Sequence, residues 1–115
     1  MTSNPFAQEF WIYLRNKTVL KDTIGHCLCW VWCNDSLDLL VEEGINEFRK
    51  KIASGGNVLR EKGLNLHWWL EADTNKGRYV ADGTAGQINP DYPLGFYGSL
   101  KEAPTDLAEV YSNGH

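Results

Sequence analysis

The sequence predicts an α+β fold, on three observations. A stripe of apolar residues at three- and four-residue steps follows the cysteine-rich stretch His26–Cys33. An alternating segment lies from Leu64 to Asp73, followed by a turn and a second short strand-like run. Helical patterns come first and strand patterns later, the order expected of segregated helices and an antiparallel sheet.

Residues 4–16 read as a helix, with Asn4 as a cap, Pro5 in the first helical position, and Phe6, Phe10, Tyr13 and Leu14 sharing a face. Residues 17–26 read as a connection, punctuated by Asp22, Thr23 and Gly25. The central helix is expected from about Cys29 to Glu43. Its apolar stripe would be Trp30, Cys33, Leu37, Leu40 and Val41, and Gly44 would close its C-terminus. Ile45, Phe48 and Ile52 suggest a further short helix ending at Ser54-Gly55-Gly56, and Val58 to Lys62 a last helical turn.

The alternating segment puts Leu66, Trp68 and Leu70 on one face and His67, Trp69 and Glu71 on the other. Asp73-Thr74-Asn75-Lys76-Gly77 is a turn and Arg78 to Asp82 the return strand of an antiparallel hairpin. Gly95-Phe96-Tyr97-Gly98 suggests one more short strand, and Ala108 to Tyr111 a terminal segment that packs or frays.

The chain of 115 residues suits one domain, and 43% apolar residues suffice for a modest core. No apolar run is long enough to span a bilayer, so no membrane association is expected. Met1-Thr2-Ser3-Asn4-Pro5 lacks a basic segment followed by an apolar one, so no signal peptide is expected. Net charge is −4 and the 11 basic residues are scattered, which does not suggest nucleic-acid binding. Three cysteines crowded into seven residues do not form a secreted disulfide framework. Reduced thiols in a cytoplasmic protein are expected.

Three residues carry the expected chemistry. A cysteine at the start of a helix meets free backbone N–H groups and the positive end of the helix dipole, which stabilise a thiolate. His67 lies on a strand, and Asp82 on its partner falls opposite it or within about two pairs. Cysteine, histidine and carboxylate are what acyl transfer through a thioester requires.

Cys29-Trp30-Val31-Trp32 resembles the Cys-Trp-Val-Phe that opens the catalytic helix of transglutaminases, and the Cys-Trp-Ala-Phe of papain-type proteases. His67-Trp68-Trp69-Leu70-Glu71 resembles the transglutaminase His-x-Trp-x-Glu. Tyr79 to Gln87 is similar to the following segment with Asp-Pro-Thr, and small bacterial and phage-borne domains carry Asp-Pro-Thr-Ala-x-Gln there. Leu39 and Leu40 stand at the spacing from Cys29 where those domains have a Leu-Leu pair. Here the usual glycine two residues before the nucleophile is Cys27, and the proline after the aspartate is Gly83. No glutamine precedes Cys29 at the papain distance.

The resemblance, over roughly residues 25–90, implies a minimal papain-like or transglutaminase-like fold, with the catalytic helix packed on a small antiparallel sheet. It implies a thiol-dependent hydrolase or acyltransferase acting on an amide of a protein or peptide substrate, without cofactor. Cys29, His67 and Asp82 would be catalytic. Trp69 is expected to bind substrate as a wall of the cleft, Gln87 to bind substrate or to orient the Asp82 loop, Glu71 to lie at the surface or to support the site from behind, and Cys33 to lie in the core. Cys27 is the rival nucleophile, because Gly25-His26-Cys27 also resembles a Gly-x-Cys signature. Two other readings stand beside the enzyme. One is a zinc site from His26, Cys27, Cys29, Cys33 and His67, although no Cys-x-x-Cys pair is present. The other is a binding module of the same fold without chemistry, using the tryptophan-rich surface. The oligomeric state is not legible.

Overall fold

The computed structural model describes residues 4–17 and 28–115. Among these residues eight helices and strands follow in order: α1 (Gln8–Lys17), α2 (Leu28–Glu42), β1 (Arg49–Ser54), α3 (Asn57–Glu61), β2 (Leu66–Thr74), β3 (Gly77–Asp82), β4 (Phe96–Ser99) and α4 (Thr105–Ser112). Short 3-10 turns lie at Ala85–Gln87 and Leu100–Glu102. The strands form one antiparallel sheet in the order β1-β2-β3-β4. The fold is α+β, as the helix and strand patterns predict. No helix among the described residues is long and apolar enough to cross a membrane.

Alternation along the strands divides the core in two. Leu70, Ala72, Tyr79, Ala81 and Tyr97 pack with Phe10, Trp11 and Leu14 of α1 and Trp32, Cys33 and Leu40 of α2. On the opposite face Ala53, Trp69, Val80 and Phe96 pack with Leu59 of α3 and Leu107, Val110 and Tyr111 of α4. Both faces of the sheet are thus covered, which explains why β2 and β3 are buried over most of their length.

Several boundaries differ from the expected ones. Residues 5–7 form a turn before α1, with Asn4 Oδ1 accepting from Phe6 N at 3.0 Å. Phe10 and Leu14 are buried as expected, but Trp11 is buried in place of Tyr13; Phe6 and Tyr13 are exposed. The connection expected over 17–26 loses Lys17 to α1, and the rest of it, with His26 and Cys27, lies outside the described residues.

The central helix is where it was expected, but its buried face is rotated. Cys29, Trp32, Cys33, Ser36 and Leu40 are buried, whereas Trp30 and Val41 are 39% and 62% exposed. Both stripes obey three- and four-residue spacing. The one that buries two sulfurs and the larger share of indole surface wins. Gly44, at φ +76°, ends the helix. Its left-handed conformation turns Ile45 N back to Leu40 O at 2.9 Å and Gly44 N to Val41 O at 3.0 Å.

The helix expected from Ile45 through Ile52 is instead β1. Arg49 to Ser54 pairs residue for residue with Glu71 to Leu66. Arg, Lys and Ala favour a helix in isolation, so pairing with β2 overrides local propensity here. The hairpin, the strand at 96–99 and the helical turn at 57–61 match the expected segments, and the terminal segment is a packed helix.

Gly83, directly after Asp82, has no room for a side chain. A Cβ there would overlap the indole of Trp32, which is fully buried and cannot swing away. Gly83→Ala is therefore expected to cost about 3 kcal/mol, a fall of roughly 10 °C or more in Tm, measurable by thermal melting.

Candidate active site

The site forms where the sheet splays. The β2–β3 ladder runs from Thr74↔Gly77 to Leu70↔Ala81 and stops there. β2 continues as partner of β1 alone, with His67 opposite Ala53 and Leu66 opposite Ser54. β3 ends at Asp82, held on its other side by Phe96. One pair beyond Leu70↔Ala81 would be Trp69 and Asp82, so Asp82 sits diagonal to His67 on the same face of the sheet. That agrees with the expected register.

The side chains close this gap with a short hydrogen bond. His67 Nε2 lies 2.7 Å from Asp82 Oδ2, and both residues are fully buried. Asp82 is held from three more directions. Tyr111 OH of α4 donates to Oδ2 at 2.7 Å. Thr84 donates to Oδ1 through its backbone N–H at 3.1 Å and its hydroxyl at 3.3 Å. A buried carboxylate with this many donors is satisfied and fixed in orientation. From α1, Arg15 Nε donates to Gly83 O at 2.9 Å and ties down the loop that follows.

Cys29 approaches from the other side as the second residue of α2. It is 1% exposed, it is not in a disulfide, and the first turn of the helix holds no acidic residue to oppose an anion. It lies close enough to His67 to help hold that ring protonated. With Nε2 committed to Asp82, Nδ1 is the ring nitrogen left to the thiol. Nδ1 is buried and has no partner in full hydrogen-bond geometry. Loose contact of this kind is common before substrate binds.

Burial works to lower the His67 pKa, but the charge and hydrogen bond of Asp82, helped by Cys29, outweigh it and hold it up at about 9. Cys33, one turn beyond Cys29 and fully buried as expected, has its thiol pushed well up by burial and then by the charges of Asp82 and Cys29. The Tyr111 phenol is likewise raised, first by burial and then by Asp82. Cys33 and Tyr111 are therefore neutral at physiological pH.

The His67 shift has a consequence for stability. Its folded value, about 9, lies above its ordinary 6.5. The paired, protonated ring thus stabilises the fold fully below about pH 6.5, and that stabilisation is lost as pH rises through 9. Urea melts between pH 6.5 and 9.5 should show wild type losing on the order of 3 kcal/mol more than His67→Gln. Parallel pH profiles for the two proteins would show that the ring is not held as an imidazolium.

Two expected binding residues take other places. Trp69 is fully buried, its indole Nε1 donating to Glu71 Oε1 at 3.2 Å. Its ring lies 6.2 Å from that of His67 and 5.0 Å from that of Tyr111. It backs the His67 ring and has no free surface for a substrate. Its neighbour Trp68 is the half-buried one. Glu71 is not at the surface but fully buried, paired with Trp69 and, at 3.5 Å, with Arg78. Gln87 is half-buried in the 3-10 turn, and the bonds that hold Asp82 come from Thr84 and Tyr111 instead.

Thr84 was open to recognition from the sequence, because Asp-Gly-Thr suits an aspartate that bonds the backbone two residues on. Tyr111, 29 residues from Asp82, carried no such signal. A cavity of about 870 Å³ opens at the hairpin end of the sheet, between Phe6, Tyr79, Tyr97 and Lys101; none of Cys29, His67 and Asp82 lines it.

Among the described residues, no three His, Cys, Asp or Glu side chains gather in a group that could hold a metal ion. His26 and Cys27 of the alternative zinc set lie outside the described residues. No family model, curated protein or solved structure matches the chain.

Proposed function

We propose that the protein is a cysteine hydrolase or acyltransferase of transglutaminase-like or papain-like type, acting on an amide through a thioester. The observation that carries this reading is the buried 2.7 Å pair of His67 and Asp82, with the Cys29 side chain engaging the same imidazole from the start of α2.

In the reaction, the proton shared by Cys29 and His67 rests on the imidazole, as the raised His67 pKa favours, and the Cys29 sulfur attacks the amide carbonyl. Asp82 holds Nε2 and balances the imidazolium. The carbonyl oxygen turns negative and needs donors. Backbone N–H groups in the first turn of α2 lack intrahelical partners and can supply them. His67 then returns the proton to the leaving amine as the C–N bond breaks, leaving a thioester on Cys29. Water or an amine, deprotonated by His67, resolves the thioester and restores the thiol.

The alternative, a binding module that keeps this fold without chemistry, draws on the burial of the Cys29 thiol. Mass spectrometry of partner proteins from a lysate of the natural source separates the outcomes. A gain of about 1 Da in a partner means deamidation, a cross-link to an amine means transamidation, and a shortened partner means proteolysis. The change must vanish with Cys29→Ala. A wild-type protein that alters no partner and forms no adduct would favour the binding module.

A further inference from the structure

The residues directly after the nucleophile and the base meet in space. Trp30 follows Cys29 and Trp68 follows His67, and their rings pack edge to face with centroids 4.8 Å apart. The pair joins the first turn of α2 to β2 on the face of the sheet that α2 covers, one residue along the chain from Cys29 and from His67. Trp30 is among the large apolar side chains left exposed, at 39%, and Trp68 is half-buried.

A cation is mounted on this pair. Lys50 Nζ stands 4.1 Å from the centre of the Trp30 ring and 5.9 Å from that of Trp68. It donates to Asn34 Oδ1 at 2.9 Å, while Asn34 Nδ2 donates to Trp30 O at 3.0 Å. The ammonium is thus fixed from two sides, where a surface lysine would otherwise swing into water. Among the described residues no carboxylate pairs with it. Asn34 Oδ1 takes one of the three N–H donors of the Lys50 ammonium, so others remain for a ligand. The Lys50 charge reaches Cys33, where it opposes the rise of the thiol pKa.

We propose that Trp30, Trp68 and Lys50 form the specificity subsite of the Cys29 centre, and that it selects substrates with a carboxylate on the residue flanking the scissile amide. The indoles take the apolar body of that residue and Lys50 takes its anion as a charge-assisted hydrogen bond. This inference rests on Cys29 being the nucleophile, and it narrows the substrate class left open above.

The test uses three short peptidyl electrophiles that differ only in the flanking residue: a glutamate, a glutamine, and a free terminal carboxylate. The readout is the rate of adduct formation at Cys29, followed by intact mass. The glutamate probe is expected to react at least tenfold faster than its glutamine twin. Lys50→Met should collapse that preference and Lys50→Arg should retain it. A faster reaction of the terminal carboxylate than of glutamate would place the anion at the end of a chain. Equal rates for all three in wild type would overturn the subsite while leaving Cys29 as nucleophile. If no probe labels Cys29, the enzyme reading fails and binding decides the subsite. Tryptophan quenching in Cys29→Ala must then show the acidic peptide binding at least tenfold tighter than its amide twin; equal affinity overturns the proposal.

Discussion

Cys29→Ala is expected to abolish amide turnover, and His67→Ala to lower kcat/KM by about 10³-fold or more. The two losses should not add in the double variant, because the thiol and its base act as one unit. His67 is the only imidazole that the described structure brings to Cys29, so removing it leaves the thiol proton without an acceptor. Rates of adduct formation for the three proteins, compared on one electrophile, measure this. Unchanged rates in His67→Ala would mean that the ring is a packed core histidine.

Asp82→Ala is expected to reverse the order of effects, costing more in stability than in chemistry. The carboxylate accepts from His67, Tyr111 and Thr84, all at buried sites. Removing it strands those donors and leaves a charged ring without its counter-ion, a loss of about 3–5 kcal/mol out of a total stability on the order of 5–15 kcal/mol. Tyr111→Phe removes one hydrogen bond to the same oxygen, with a cost of about 1–2 kcal/mol. Chemical denaturation ranks the two. A loss for Asp82→Ala no larger than that for Tyr111→Phe would mean that Asp82 is not the hub of the site. Activity must be compared well below each variant's melting transition. There Asp82→Ala should retain more turnover than His67→Ala, because the carboxylate orients the base and does not itself move a proton.

The parts of this site that were legible in the sequence are those with a local signature. Period-two alternation set His67 and Asp82 on facing strands, and the Asp73–Gly77 turn limited their offset to about two pairs. Helical spacing placed Cys29 at a helix start. What was not legible depends on partners far along the chain. The segment 49–54 has residues that suit a helix, and only the outer edge of β2 makes it a strand. Trp30 and Val41 fit an apolar stripe as well as Trp32 does, and the sheet's shape decides which stripe is buried. Trp68 and Trp69 alternate by rule, but the alternation does not say which face is the drier. α4 covers the Trp69 face and brings Tyr111 onto Asp82, so the expected cleft wall became the backing of His67. The enzyme reading itself rests on the geometry of one helix and one hairpin.

Alkylation tests that geometry most directly. Native protein is treated with iodoacetamide, and modification at Cys27, Cys29 and Cys33 is followed by peptide mapping over time, in wild type and in His67→Ala. Cys29 is expected to react first because His67 stands beside it to hold its proton, whereas the raised pKa of Cys33 keeps that thiol neutral. His67→Ala should slow Cys29 by at least tenfold relative to Cys33. Preferential modification of Cys27 would move the nucleophile two residues upstream. Uniform slow modification of all three, unaffected by His67→Ala, would contradict the account.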